Sequence, residues 1–253
     1  MGIITIATDY GSIDGYTASV KGVIKALAPE SEIIDVTDDL PSILKASLVL
    51  FRYYSLYPAG TVHLMIIDPT VGTRRRALAG TDGKYHYVGP DNGIFARVIE
   101  KEVNCRWYAI DASLLPTQTI SSTFHGRDIF APSAALLATG SLPEELGQRI
   151  TDPRIIGIPK AHMKGNIIRG EIIDIDRFGN LITNVSDDIL VGEPTVLLKK
   201  EEIIPFRKTF ADVTPKSSVA YIGSLGYLEI AVNMGRADRL YRVDIGSIVE
   251  IRL

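Results

Sequence analysis

The pattern of apolar residues predicts an N-terminal α/β domain with a mostly parallel central sheet, followed by a smaller C-terminal domain of antiparallel strands, a β-barrel or a sandwich. Three observations carry this prediction. Short β-rich runs alternate with helically spaced runs between Ile3 and Ile67, as in strands joined by crossover helices. Beyond Pro159 helical periodicity fades, and short strand-like runs are separated by turns. The 253 residues, 46% of them hydrophobic and 23% charged, supply apolar material for one large domain or two modest ones.

Ile3 to Thr8 is the first strand, and Tyr16 to Leu27 is a helix with Val20, Val23, Ile24 and Leu27 at helical spacing. Glu32 to Val36 reads as a strand, and Pro41 to Tyr57 as a helix opening at its proline. Val62 to Ile67 is a buried strand ending at Asp68, and Leu78 to Val88 a hairpin turning at Asp82-Gly83. A helix from Phe130 to Thr139 closes this part. Pro143 to Pro159, rich in proline and glycine, is the boundary region, and the domains are expected at 1–157 and 165–253. Strand-like runs follow at Asn166–Ile175, Leu181–Asn184, Thr195–Lys199, Val219–Ile222, Tyr227–Val232 and Ile248–Leu253. They fit a small antiparallel barrel or sandwich.

Composition excludes several classes. A formal net charge of -3 gives no field for nucleic acid, and no apolar stretch approaches the roughly 20 residues of a membrane span. The single cysteine, Cys105, rules out an intrachain disulfide and a thiolate zinc cluster. The four histidines form no tight ligand pair, so no metal site is expected. With no signal peptide pattern ahead of Ile3, a soluble, cytoplasmic protein is expected. Walker, GxGxxG and GxSxG motifs are absent.

Polar clusters remain at the ends of elements, where ligands gather in parallel sheets. In Thr8-Asp9-Tyr10-Gly11-Ser12-Ile13-Asp14-Gly15-Tyr16, a carboxylate can accept both hydroxyls of a ribose, or Asp9 or Asp14 can simply cap the helix. In the run from Asp68 through Arg74, Arg75 and Arg76, the aspartate and one arginine can pair at the mouth of the sheet, or form a structural salt bridge. His125, beside Gly126, sits in a polar loop before a helix, where a ligand can approach closely. Asp176-Arg177-Phe178-Gly179-Asn180 is either a plain hairpin turn or a ring and an amide set to read a base.

Together and in order, the segments TDYGSIDGY, IIDPTVGTRRR, GPDNGI, STFHGRDIFAPSAA, DIDRFGNLITN, TFADV and GSLGYLEIAVNMG resemble the S-adenosyl-L-methionine (SAM) hydroxide adenosyltransferases, relatives of the fluorinases and chlorinases. The resemblance implies hydrolysis of SAM to adenosine and L-methionine, with SAM as substrate and no cofactor. It also implies a homotrimer that binds SAM between one subunit's N-terminal domain and its neighbour's C-terminal domain. It implies that Asp68, Arg75 and His125 hold and polarise the attacking water, and that Asp9 holds the ribose. Asp14, Tyr16, Asp176 and Ser224 would face the methionine end. Asn180, Phe178, Phe210 and the Met234 backbone would surround the adenine, and Glu229 completes the implied binding set.

The halogenases carry tyrosine in place of Asp68 and of His125, and the fluorinases carry serine in place of Gly126. A halide needs a neutral donor pocket, whereas water needs a group that takes its proton. A halogenase and a non-catalytic SAM or adenosine sensor remain the alternatives. One departure concerns Thr70, where the family's turn has glycine. A positive φ there would strain a threonine.

Overall fold

Apolar residues on both faces of successive strands require covering layers on both sides, and the chain supplies helices for each. In a computed structural model, which describes residues 2–157, 159–192, 194–199 and 202–253, the chain divides into two compact units, Met1–Gly157 and Ile158–Leu253.

The first unit is built on a seven-stranded sheet. Strand β1 (Ile3–Thr8) lies parallel between β2 (Glu32–Thr37) and β3 (Val62–Ile66). Beyond β3 lie β5 (His86–Pro90), parallel to it, and β4 (Ala77–Thr81), which pairs antiparallel with β5. Strands β6 (Arg106–Ile110) and β7 (Gly147–Ile150) complete the far edge, each antiparallel to its neighbour.

Side chains alternate across this sheet with period two. Ile4, Ile6, Leu64 and Ile66 face helices α1 (Tyr16–Leu27) and α4 (Ala131–Ala138), packing on Val20, Ile24, Ala131 and Ala134. Ala7, Met65 and Ile67 point the other way, toward Ala46 and Leu50 of α2 (Ile43–Tyr53) and Val98 of α3 (Ala96–Lys101). The chain leaves β1 for β2 on one side and returns from β2 to β3 on the other. The crossovers therefore diverge at the carboxyl ends of β1 and β3, the crevice where open α/β sheets hold ligands.

The second unit is an antiparallel sheet of eight strands. These are β8 (His162–Lys164), β9 (Ile167–Ile175), β10 (Leu181–Ser186), β11 (Thr195–Leu198), β12 (Glu202–Ile204), β13 (Ser218–Ile222), β14 (Tyr227–Val232) and β15 (Ile248–Arg252). Their order is β12-β11-β15-β9-β10-β14-β13, with β8 added to β9. After β12 the Arg207 amide donates to the Ala220 carbonyl, and the Ala220 amide to the Pro205 carbonyl, both at 2.9 Å. The two end strands are thereby drawn together, and the sheet nearly closes into a barrel around Ile168, Ile172, Leu181, Val196, Leu228, Ile230 and Val249. Closure leaves little open sheet edge.

The second helix does not open at Pro41. It begins at Ile43, and the Ser42 hydroxyl caps it by accepting the Lys45 amide at 3.2 Å. Its last turn tightens into a separate 3₁₀ turn, Tyr54–Leu56. The helix expected from Phe130 is preceded by one wide turn, Gly126–Phe130, with π-type bonding. Inside the stretch read as a boundary, Gly147–Ile150 forms the sheet's edge strand.

Candidate active site

Three side chains from two loops meet beyond the carboxyl end of β3. Asp68 follows the buried Ile67, and Arg75 returns from the turn after it. Arg75 Nε lies 2.9 Å from both Asp68 carboxylate oxygens, and its Nη2 closes a second contact to Oδ2. Both side chains are more than nine-tenths buried, so the pair works where water screens it little. The same Nη2 donates to His125 Nδ1 at 2.8 Å. A guanidinium only donates. His125 Nδ1 therefore accepts, and the neutral ring carries its proton on Nε2. Burial first, and the Arg75 charge second, lower the His125 pKa.

The turn carrying this pair tolerates Thr70 without strain. Its left-handed residue is Gly72, at φ 79°, and Thr70 is not among the residues of positive φ. The Thr70 hydroxyl instead donates to Asp68 Oδ1 at 3.3 Å, a contact that glycine cannot make.

Asp9 and Tyr10 stand at the end of β1. Asp9 stays solvent-accessible, yet surrounding protein, with the Asp68 charge adding to it, raises its pKa. Tyr10 has a raised pKa through burial, with Asp9 and Asp68 adding to it. Neither Asp9 nor Asp14 caps α1, whose cap position is Gly15 with no side-chain bond. Asp14 lies on the exposed turn ahead of the helix. Tyr16 packs with Tyr10 and Phe124 at ring-centroid distances of 5.7 and 5.2 Å, which joins the β1 turn to the loop before His125.

A Cβ on Gly126 would lie 2.2 Å from the Tyr10 hydroxyl. A side chain there would displace the Tyr10 hydroxyl, so glycine lets the His125 loop approach Tyr10 this closely. Sequence reasoning left Tyr10 out of the site although it lies between two of the site's residues. Its signal was a bulky phenol within a glycine-bounded turn. Phe130, over which the Arg75 guanidinium sits at 5.1 Å, was likewise missed.

The second unit presents its own polar face. The tip between β9 and β10 is cross-braced, with Asp176 accepting the Asn180 amide at 2.8 Å and the Asn180 side chain at 2.9 Å. That bracing leaves Phe178 73% exposed at the tip, an aromatic surface with no core to cover it. Glu229 is buried, accepts the Tyr221 hydroxyl at 3.0 Å and fills the space beside Gly223. Burial and Glu229, with a smaller effect of Asp176, raise the Tyr221 pKa. Phe210 meets Tyr221 edge-on at 5.6 Å, and Ser224 is exposed on the β13–β14 turn. Met234 is in a left-handed conformation, and its carbonyl accepts from Lys216 Nζ at 2.6 Å.

Among the described residues no group of three or more His, Cys, Asp or Glu side chains is placed to hold a metal ion. No described helix is long and apolar enough to cross a membrane.

Comparison with known proteins identifies the family. The chain is 38% identical over 239 residues to the (R)-S-adenosyl-L-methionine hydrolase of Thermus thermophilus, covering 91% of each chain. It is more distant from a fluorinase of Nocardia brasiliensis, at 25% identity over 99% of this chain and 97% of that one. An uncharacterized conserved protein from Thermotoga maritima superimposes with a TM-score of 0.90 at 33% identity, covering 100% of this chain and 99% of its own. The SAM hydroxide adenosyltransferase N-terminal domain matches residues 4–147 and the C-terminal domain residues 170–250. By these matches over both units, the chain belongs to the SAM hydroxide adenosyltransferase family.

Proposed function

We propose that this protein hydrolyses SAM to adenosine and L-methionine by in-line attack of water at the ribose C5′. The observation that carries the reading is the convergence of Asp68, Arg75 and His125 at the switch-point crevice. The leaving group is a neutral thioether sulfur, so breaking the carbon–sulfur bond calls for neither a general acid nor a cofactor. Rate then comes from placing the water, relieving it of a proton and excluding bulk solvent. His125 presents Nε2–H to the water oxygen, because its Nδ1 is engaged by Arg75. Within the trio Asp68 is left to accept the proton, and Arg75 steadies the negative charge that develops.

The same reading gives Asp9 the ribose hydroxyls, and Asp14 and Tyr16 the methionine end. The second unit contributes Asp176, Ser224 and Glu229 on the amino-acid side, with Phe178, Asn180 and Phe210 around the adenine. The Met234 backbone, held in a left-handed conformation with its carbonyl accepting Lys216 Nζ, lies on the same adenine side. The resemblance supports a cytoplasmic homotrimer in which a neighbouring subunit's second unit completes each site. A carboxylate at position 68 repels a halide, which favours water over chloride or fluoride as nucleophile.

Incubation of the purified protein with SAM in water enriched in heavy oxygen is expected to yield free methionine and adenosine labelled at the 5′ oxygen. Recovery of intact SAM would indicate a sensor. A 5′-halogenated nucleoside formed with added chloride or fluoride would indicate a halogenase. In the same assay His125→Ala is expected to lower turnover by about 10²-fold or more, the order lost when a reacting group is misplaced, while SAM binding, measured by calorimetry, persists.

A further inference from the structure

The arginine turn has a second face. Thr70, Thr73, Arg74, Arg75, Arg76, Asp91 and Arg154 line an open cavity of about 610 Å³, within the size range of small-molecule sites. Four guanidiniums in one cavity repel one another unless carboxylates or a ligand offset them. Arg75 is matched by Asp68, and Arg76 by both Asp91 and Asp152. Among the described residues no carboxylate pairs with the exposed Arg74 and Arg154 side chains.

The cavity is also built rather than incidental. Asp91, nearly buried, uses Oδ2 to accept Arg76 Nε at 2.7 Å and Oδ1 to accept the Arg154 amide at 2.7 Å. Arg76 Nη2 donates to the Asp152 carbonyl at 2.7 Å. These bonds pin the 152–154 segment against the arginine turn, so both walls are held before any ligand arrives. Each oxygen of the one acidic lining residue is already engaged, which blunts its repulsion of an incoming anion.

We propose that this cavity is a binding site for a small phosphorylated molecule, held by Arg74 and Arg154 and separate from the SAM site. A guanidinium offers paired N–H donors in a planar fork that matches phosphate oxygens two at a time; the Thr70 and Thr73 hydroxyls in the lining already donate to Asp68 Oδ1 and to the Thr70 carbonyl, so the two arginines carry the anion. Arg75 lines the cavity while also holding Asp68 and His125, so occupancy is felt at the trio. That last consequence rests on the proposed hydrolysis; the binding does not.

Isothermal titration of the full chain with inorganic pyrophosphate, and separately with inorganic phosphate, is to be run at about 0.15 M salt, where long-range attraction is screened. Saturable binding of one pyrophosphate per chain is expected, with phosphate weaker. The double variant Arg74→Ala/Arg154→Ala is expected to weaken it at least tenfold while keeping the wild-type rate of SAM turnover in the absence of pyrophosphate. No saturable heat in the wild type, or unchanged affinity in the double variant, overturns the proposal. Failure of the titration with normal turnover condemns this site alone, whereas an inactive but pyrophosphate-binding wild type condemns the hydrolase reading alone.

Discussion

His125 accepts from Arg75 through Nδ1, and a ring protonated on both nitrogens can no longer do so. Its pKa lies below the ordinary 6.5 because burial, and then the adjacent guanidinium, penalise the charged form. The ring is therefore mostly neutral at pH 6.5 and above, and gains its charge on further acidification. The acid limb of kcat/KM is therefore expected below pH 6.5. Replacing Arg75 with Gln should move the His125 titration, followed by NMR of the ring, toward higher pH. An acid limb above 6.5, or a histidine titration indifferent to Arg75→Gln, would contradict the assignment. At this scale the sequence shows Asp68, Arg75 and His125 as separate polar clusters. What it hides is their union, since Arg75 and His125 are fifty positions apart and nothing local reports that distance. Tyr10 was hidden for a related reason, because its importance lies in touching Gly126.

Between residues and the whole, the β1 turn and the loop before α4 act as two walls in contact. Their closest approach is Gly126 against the Tyr10 hydroxyl, and overfilling so tight a place costs about 1–3 kcal/mol. Gly126→Ala is expected to lower both thermal stability and turnover. Tyr10→Phe in the same chain removes the clashing oxygen, leaving 3.2 Å to the ring carbon, and should restore most of the lost stability in a thermal melt. If the double variant is no better than the single, the two walls are not coupled through this contact. The longer elements were legible: β1, α1 and β14 have the bounds that their apolar periodicity indicates. Strands β8 and β12 have three residues each, too few for any period to register, and α3 has only six. The start of α2 was misread because a proline at the first helical position and a proline just ahead of a serine cap look alike in sequence.

For the molecule as a whole, each unit has hydrophobic clusters of its own among the described residues. Those around Ile6, Val20 and Leu64, and around Leu50, Met65 and Tyr87, draw only on the first unit, and those around Ile172, Leu228 and Val219 only on the second. A unit with its own core meets the first requirement for folding alone. Residues 1–157 and 158–253, expressed separately, are each expected to unfold cooperatively by circular dichroism. A broad, non-cooperative melt of either piece would show that its core is incomplete. The change of fold class was legible because the apolar period itself changes. The barrel was expected from the family resemblance, whereas the residue pattern left barrel and sandwich both open, since closure depends on Pro205 and Arg207 reaching Ala220.

The turn that pairs Asp68 with Arg75 spans seven positions, whereas His125 joins Arg75 across fifty. Closing the longer loop costs about 2 kcal/mol more in chain entropy. The ionic half of the site therefore needs only neighbouring chain, whereas the imidazole reaches it by the closure of a long loop. A molecule whose 117–125 segment transiently lifts away would keep its charge pair intact and be idle, then become competent again without refolding.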